Sequence, residues 1–227
     1  MIFSLVLIAL VVMLGPQLWA RQALARHGRE RPDLPGSGAD FARHLLARAR
    51  MDGYRVEAAR DGVGDHFDPT QRVVALSAAH HDKRSLAAVV VAAHEVGHAI
   101  QHHIGYRPLY ARQRLARAAM FAEKFAAIAL IAMPFLAVVT RLPAAGAGLL
   151  LLGVGSMLVP LLVHLVTLPV EFDASFRRAL PILELGYLDP ADLPAARRIL
   201  AACALTYVAG ALASVLNFTR WIRVLRR

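Results

Sequence analysis

One short segment of the chain combines residue types that bind and activate a metal ion. Residues 93–99 read AHEVGHA and contain the pattern H-E-x-x-H at His94, Glu95 and His98. Residues four apart on an α-helix share a face, with Cβ atoms about 5–6 Å apart, so both imidazoles can hold one zinc ion at about 2.0–2.1 Å. Glu95 lies about 100° around the helix from His94 and can therefore act on a metal-bound water. The spacing predicts hydrolytic chemistry with Glu95 as the general base.

A hydrolytic zinc site needs a third protein ligand and one open position. His102 cannot supply it together with His94, because eight residues of helix separate them by about 12 Å. The three-histidine extension H-E-x-x-H-x-x-G-x-x-H also fails, since Gln101 stands where glycine is needed and Ile104 where the last histidine is needed. The third ligand must come from another part of the chain.

Glu171 is the best candidate for that ligand. It directly follows the apolar residues Leu168–Val170, where a carboxylate is costly to bury without a cation beside it. An ordinary interfacial glutamate is the alternative. Asp173, two residues later, could orient a ligating histidine or could be a solvated turn residue.

The overall composition points to a bilayer and away from nucleic acid. The hydrophobic content is 57% and the formal charge is +10, with 26 Lys and Arg residues. Many arginines flank apolar runs, which is typical of membrane topology determinants, and no aromatic-plus-basic pattern of a nucleic-acid module is present. Cys203 is the one cysteine, which excludes a disulfide framework.

Four apolar runs predict integral membrane helices, at residues 2–20, 125–139, 142–170 and 199–217. The first reads as a retained anchor because its arginines follow it; a cleavable signal peptide is the alternative. The second and third read as a helical hairpin. The fourth either crosses or is re-entrant, because the arginine-rich tail conflicts with the topology set by the other runs.

The remaining segments predict a small α+β unit. Helical spacing appears at residues 38–51, capped by Ser37, and at 83–104, capped by Asp82 and ended by Gly105. Short β-like stretches appear at 54–58 and 72–76, separated by a turn-rich segment. The stretch 72–77 could pair with an extended peptide or could be a plain strand.

The predicted fold class is therefore mainly α, with integral membrane helices plus a small zincin-like α+β domain that carries the HExxH helix. The predicted division has five parts: an N-terminal anchor (1–20), the zincin-like domain (21–120), a transmembrane hairpin (121–170), a third-ligand segment and helix (171–198), and a C-terminal membrane helix with a basic tail (199–227).

Three motifs occur in the order DHFDP, AAHEVGHAIQH and LPVEFDAS. With them the chain resembles the YugP-type bacterial membrane zinc metallopeptidases, the neutral zinc metallopeptidase family, and distantly the HtpX-like peptidases. The resemblance covers nearly the whole chain. It implies that His94, His98 and Glu171 are metal ligands and that Glu95 is the catalytic glutamate. HtpX-like peptidases usually carry aspartate four residues after the ligating glutamate, where this chain has Ser175.

The function expected from these residues and from the resemblance is a zinc-dependent membrane endopeptidase with one Zn²⁺ per chain. Its expected partners are a peptide or protein substrate and the lipid bilayer, with no nucleic acid. Its expected place is the inner (plasma) membrane, as a multi-pass protein with the active site on the cytoplasmic face. An intramembrane protease and a catalytically silent membrane scaffold with a structural zinc are the alternatives.

Overall fold

The structure is a computed structural model, and it describes residues 2–140, 162–163 and 165–215. The first part of the chain forms α1 (Ile2–His27), α2 (Gly38–Arg48), β1 (Arg55–Ala58), β2 (His66–Asp68), β3 (Val73–Leu76), α3 (Leu86–His103) and α4 (Arg107–Thr140). The second part forms the helical segment α5 (residues 165–187), a 3-10 turn (Pro190–Asp192) and α6 (Leu193–Val215).

The three strands of the described chain form one sheet with the order β1-β3-β2. β3 pairs with β1 in parallel and with β2 in antiparallel, so that Val74 lies beside Val56 on one side and Phe67 on the other. All four residues of β3 are buried. The strand expected to accept an extended peptide is thus the central one, paired on both sides. The edge strand β2 lies within the segment that was predicted to be rich in turns, where no strand was expected.

The helix α2 begins where its sequence predicts. The Ser37 hydroxyl accepts the backbone N–H of Asp40, and the Asp40 carboxylate accepts the backbone N–H of Ser37, which is a capping box. Its apolar residues, among them Phe41, Leu45 and Leu46, are buried, and the helix packs on α3. The predicted helix is confirmed, and it supports the helix that carries the HExxH pattern.

The helix α3 begins three residues later than the sequence predicted, at Leu86. Ser85, and not Asp82, is the N-cap, and its hydroxyl accepts the backbone N–H of Ala88. Every residue from Leu86 to Ala99 is buried, which explains why this helix has no polar face. It ends before Gly105, whose φ of +71° suits a residue without a side chain.

The helical segment α5 changes its winding near the candidate ligand Glu171. Residues Asp173–Ala179 and Leu183–Tyr187 are wound as π-helix around a short α-helical piece, Leu180–Ile182. Gly186, with a φ of +96°, ends the helical segment. α5 packs against α3, and both contribute buried residues to the same hydrophobic core as α2 and α6.

The prediction of integral membrane helices is wrong for the described part of the chain. Among these residues no helix combines the length and the apolar character that a bilayer crossing needs. The physical reason is that the apolar stretches are pieces of longer helices that also carry charged turns: α1 continues through Arg21 and Arg26, and the first turns of α4 carry Arg107, Arg112 and Arg114. The described structure is an α+β fold.

Parts of two predicted runs and the basic tail lie outside the described residues, namely 141–161, 164 and 216–227. The predicted division into five parts stays a prediction.

Candidate metal centre

Three buried side chains converge from two helices. α3 supplies His94 and His98, one turn apart, and α5 supplies Glu171. One ligand atom from each lies within 4.8 Å of the others. His94 Nε2 is 3.3 Å and His98 Nε2 is 3.2 Å from the same carboxylate oxygen, Oε2 of Glu171. The structure therefore brings together the three residues that the sequence predicted as ligands.

These separations suit a tetrahedral zinc ion. Two ligand atoms at about 2.0–2.1 Å from tetrahedral zinc lie about 3.3 Å apart, which is the separation seen between each histidine nitrogen and the carboxylate oxygen. Two imidazoles and one carboxylate also form a donor set that is common in hydrolytic zinc sites. The residues present fit the metal in type and in spacing.

Ser175 fixes the tautomer of His94. Its hydroxyl lies 3.0 Å from His94 Nδ1 and donates its own proton to the backbone carbonyl of Leu200 at 3.2 Å. Because that proton is used, the hydroxyl oxygen accepts the Nδ1–H of His94. The lone pair of His94 then resides on Nε2, the nitrogen that faces Glu171.

Gln101 fixes the tautomer of His98. Its amide nitrogen donates to the backbone carbonyl of Val170 and to Asp173 Oδ2, both at 2.8 Å. This leaves the amide oxygen to accept the Nδ1–H of His98 at 3.0 Å. His98 therefore also presents its lone pair through Nε2. Partners of this kind orient ligating histidines in metal sites.

Three acceptor atoms therefore converge, namely Nε2 of His94, Nε2 of His98 and Oε2 of Glu171. A buried site tolerates such an arrangement only when a positive charge lies between the acceptors. Electrostatics favours the same conclusion. Burial raises the pKa of Glu171, but His98 and His94 lower it far below its usual range. Burial lowers the pKa of His98, yet the Glu171 carboxylate outweighs this and raises it above its ordinary value. The centre is thus built to hold a cation beside Glu171.

The second carboxylate oxygen of Glu171 is held by Arg112 of α4. The guanidinium Nη1 donates to Oε1 at 2.9 Å, so Oε2 alone faces the histidines. This pairing neutralises part of the charge of a fully buried carboxylate. It also ties α4 to the ligand on α5.

Glu95 is buried but lies outside the ligand group. Its side chain lines the same cleft as His98, and no group in the described part of the chain donates a hydrogen bond to its carboxylate. Burial raises the pKa of Glu95 above its ordinary value, although His94 and His98 oppose the shift. A carboxylate with raised proton affinity next to the ligands suits the role of a proton acceptor.

The centre opens into a cleft of about 410 Å³. One wall is β2 with the residues around it, the floor is α3 with Glu95 and His98, and the other wall is α4 with Arg112 and Arg117. The fourth position of the metal can therefore be reached from solvent. This distinguishes the centre from a closed structural zinc site, in which four protein ligands surround the ion.

The segment DHFDP forms β2 and fixes its ends. Asp65 accepts hydrogen bonds from the backbone N–H and the hydroxyl of Ser77 and from His80 Nδ1. Burial raises the pKa of Asp65, but the contact with His80 and the other hydrogen bonds lower it below its ordinary value. Asp68 accepts the backbone N–H groups of Thr70 and Gln71. Both aspartates hold the wall of the cleft in place.

Sequence reasoning missed Ser175, Gln101 and Arg112 as parts of the centre. Gln101 entered only as a residue that rules out a longer motif, and Ser175 only as a departure from the HtpX-like pattern. Asp173 contacts Gln101 and Arg178, so it reaches His98 through Gln101 and not directly. The spacing of three residues from His98 to Gln101 was the available signal, since such residues share a helix face.

Comparison with known proteins agrees with this geometry. A family model described as "putative neutral zinc metallopeptidase" matches residues 2–226. The chain belongs to this family. It is 33% identical over 220 residues to the "Putative membrane protease YugP" of Bacillus subtilis (strain 168), which covers 94% of this chain and 93% of that protein. No solved structure matches the chain.

Membership in the neutral zinc metallopeptidase family implies zinc, and the centre offers a donor set of matching chemistry. The resemblance predicted from the three motifs is thus confirmed.

Proposed function

We propose that this protein is a zinc-dependent endopeptidase that hydrolyses peptide bonds in the cleft between β2 and α4. The observation that carries the proposal is the arrangement of three convergent buried ligands beside a cleft that Glu95 also lines, where its carboxylate accepts no hydrogen bond from the described residues. Membership in a zinc metallopeptidase family supports the same chemistry.

His94, His98 and Glu171 would hold the metal, and each has a partner that fixes its orientation. A zinc ion bound there would lower the pKa of a water molecule and would polarise the carbonyl group of the substrate. Glu95 accepts the proton of the attacking water and returns it to the leaving amine.

A catalytically silent scaffold with a structural zinc is the second candidate. The open fourth position argues against it, and so does the buried Glu95 carboxylate, which accepts no hydrogen bond within the described part of the chain; a structural site has no use for either. A buried carboxylate without a hydrogen-bond donor costs stability, which a purely structural protein would have no reason to retain.

Two substitutions test the proposal. Glu95→Gln should retain one zinc per chain but lose turnover of an unfolded protein substrate by about 10²–10⁴-fold. Glu171→Ala should lose zinc as well, because two imidazoles alone hold the ion weakly. Zinc content is measured by metal analysis of purified protein and turnover by the release of labelled fragments from casein.

Glu57→Gln, an exposed position on β1, is the matched control and should behave as the wild type. Undiminished proteolysis in Glu95→Gln would refute the role of Glu95. A wild type that holds zinc yet cleaves nothing would favour the scaffold.

We also propose that the protein acts at a membrane surface. The relative from Bacillus subtilis is named a membrane protease, and the described part of α4 exposes Phe121, Phe125 and Ile128. These residues follow an i, i+4, i+7 spacing and form one apolar face. Such a face, with basic residues near it, suits binding in the interfacial region of an anionic membrane.

A further inference from the structure

A third histidine of α3 lines the cleft without belonging to the ligand group. His102 lies one helical turn beyond His98, about 6 Å along the helix axis, and forms part of the cleft wall. The ligand atoms that converge at the centre come from His94, His98 and Glu171. His102 therefore faces the space in which a substrate would lie, without contacting the metal.

The ring of His102 is held in one orientation. Its Nδ1 lies 2.7 Å from the hydroxyl of Tyr54. Three aromatic rings surround it, with centroids at 5.6 Å for Phe67, 5.8 Å for Tyr110 and 5.9 Å for Tyr54. Phe67 belongs to β2 and Tyr110 to α4, so both walls of the cleft fix the ring.

The hydrogen bond with Tyr54 also decides which nitrogen carries the proton. If the phenol donates to Nδ1, both groups are satisfied and the ring proton lies on Nε2. If Nδ1–H donated instead, the phenol proton would have no acceptor among the described residues. Burial lowers the pKa of His102, and Arg72 and His103 lower it further, so the ring is neutral near pH 7. His102 thus has an Nε2–H donor that no described residue accepts.

We propose that His102 Nε2 donates a hydrogen bond to a backbone carbonyl of the bound peptide and is a substrate-binding residue of this enzyme. This inference rests on the proposed peptidase function. An extended chain rises about 3.3 Å per residue, so about 6 Å from His98 corresponds to two residues. His102 therefore binds a peptide group beside the scissile bond, and not the scissile carbonyl itself.

The experiment compares His102→Phe, Tyr54→Phe, the double variant and a control. His102→Phe keeps an aromatic ring but removes the donor, and Tyr54→Phe removes the hydroxyl that sets the tautomer. His44→Phe is the control, because His44 is an exposed histidine of α2 that does not line the cleft and contacts neither Tyr54 nor His102. Each variant is measured for zinc content, for kcat/KM on fluorescein-labelled casein, and, in a Glu95→Gln background, for casein affinity by fluorescence anisotropy.

His102→Phe should lower both kcat/KM and casein affinity about tenfold, the effect of one lost hydrogen bond, with zinc content unchanged. Tyr54→Phe should lower them less, and the double variant should be no worse than His102→Phe, since both act through one donor. Unchanged affinity in His102→Phe, additive losses, or a loss of zinc would each overturn the inference. If His102→Phe does not fold, Tyr54→Phe decides alone. A lower casein affinity with unchanged zinc content then supports the inference, and an unchanged casein affinity overturns it.

The binding measurement separates this inference from the proposed function. A wild type that binds casein through His102 but shows no turnover would refute the peptidase and leave the binding role intact. If the wild type hydrolysed casein normally and His102→Phe bound casein as tightly as the wild type, the peptidase function would stand and the binding role of His102 would be refuted.

Discussion

The metal centre depends on two side chains that do not reach the metal position. Ser175 and Gln101 each accept an imidazole Nδ1–H, and each is oriented by a second contact of its own. Without them, each histidine could place its proton on Nε2 and would then present no lone pair to a cation through that nitrogen. The affinity of the centre is therefore set as much by these acceptors as by the ligands.

Ser175→Ala should weaken zinc binding about 10–100-fold, the usual effect of removing such a partner. The methyl group cannot accept the Nδ1–H of His94, and it removes the hydrogen bond from Ser175 to the Leu200 carbonyl. Competition with a chromophoric chelator measures the affinity directly.

The control for Ser175 is Arg177→Gln, which changes an exposed residue two positions further along α5. It should leave the affinity unchanged. Equal zinc affinity in Ser175→Ala and the wild type would mean that the tautomer of His94 does not depend on this hydroxyl.

At the scale of elements, the site requires α3 and α5 to approach very closely. A Cβ atom added at Gly97 would lie 2.7 Å from the backbone carbonyl oxygen of Ala174. Real Cβ atoms do not approach backbone oxygens so closely, so any side chain here pushes the two helices apart. The absence of a side chain at Gly97 therefore lets α5 approach α3 closely enough for Glu171 to reach both histidines.

Gly97→Ala should destabilise the protein by about 1–3 kcal/mol, as overpacking of a core does, and should also weaken zinc binding. The displaced α5 would carry Glu171 away from both imidazoles. Denaturant unfolding without metal measures the stability, and the chelator competition measures the affinity.

Gly64→Ala is the matched glycine control, because a Cβ there meets no atom within 4 Å. It should be neutral for zinc affinity. A Gly97→Ala variant with the stability and affinity of the wild type would show that α3 and α5 can adjust without loss.

At the scale of the whole molecule, the buried core and the exposed apolar residues have different roles. The core joins α2, α3, α5, α6 and the sheet behind the metal centre. The apolar face of α4 is outside it, with Phe121 62%, Phe125 70% and Ile128 64% exposed. Lys124 and Arg117 are exposed on the same helix. Apolar side chains near basic ones are what the proposed membrane surface contact requires.

The combined change Phe121→Ser and Phe125→Ser should lower binding to phosphatidylglycerol vesicles by at least tenfold. Each phenylalanine contributes about 1.5–3 kcal/mol when its side chain leaves water. Cosedimentation of the purified full chain with vesicles measures the binding.

Leu185→Ser, which changes a side chain that is 79% exposed at the end of α5, is the control and should bind like the wild type. If the wild type failed to sediment with the vesicles, the proposed membrane surface contact would be refuted. If the double serine variant bound as strongly as the wild type, the contact would have to lie elsewhere than on α4.

Several features of the fold could be predicted because they are local. The α2 capping box, the α3 helix and the strands β1 and β3 follow from residues within a few positions of one another. The short β2 was missed, because its three residues lie between turn residues and pair with β3 only in the folded chain. The membrane helices were predicted from the lengths of apolar runs and their flanking arginines, which do not distinguish an apolar stretch of a longer charged helix from a crossing.

The sequence by itself determined that His94, Glu95 and His98 share one helix in the order that zinc hydrolysis needs, because helical periodicity places residues four apart on one face. Only the tertiary structure decided what surrounds them. Glu171 and Ser175 come to the histidines across 73 and 81 positions of chain, and Arg112 comes to Glu171 across 59. Such contacts depend on how α3, α4 and α5 pack, and the spacing of residues along one helix carries no information about that packing.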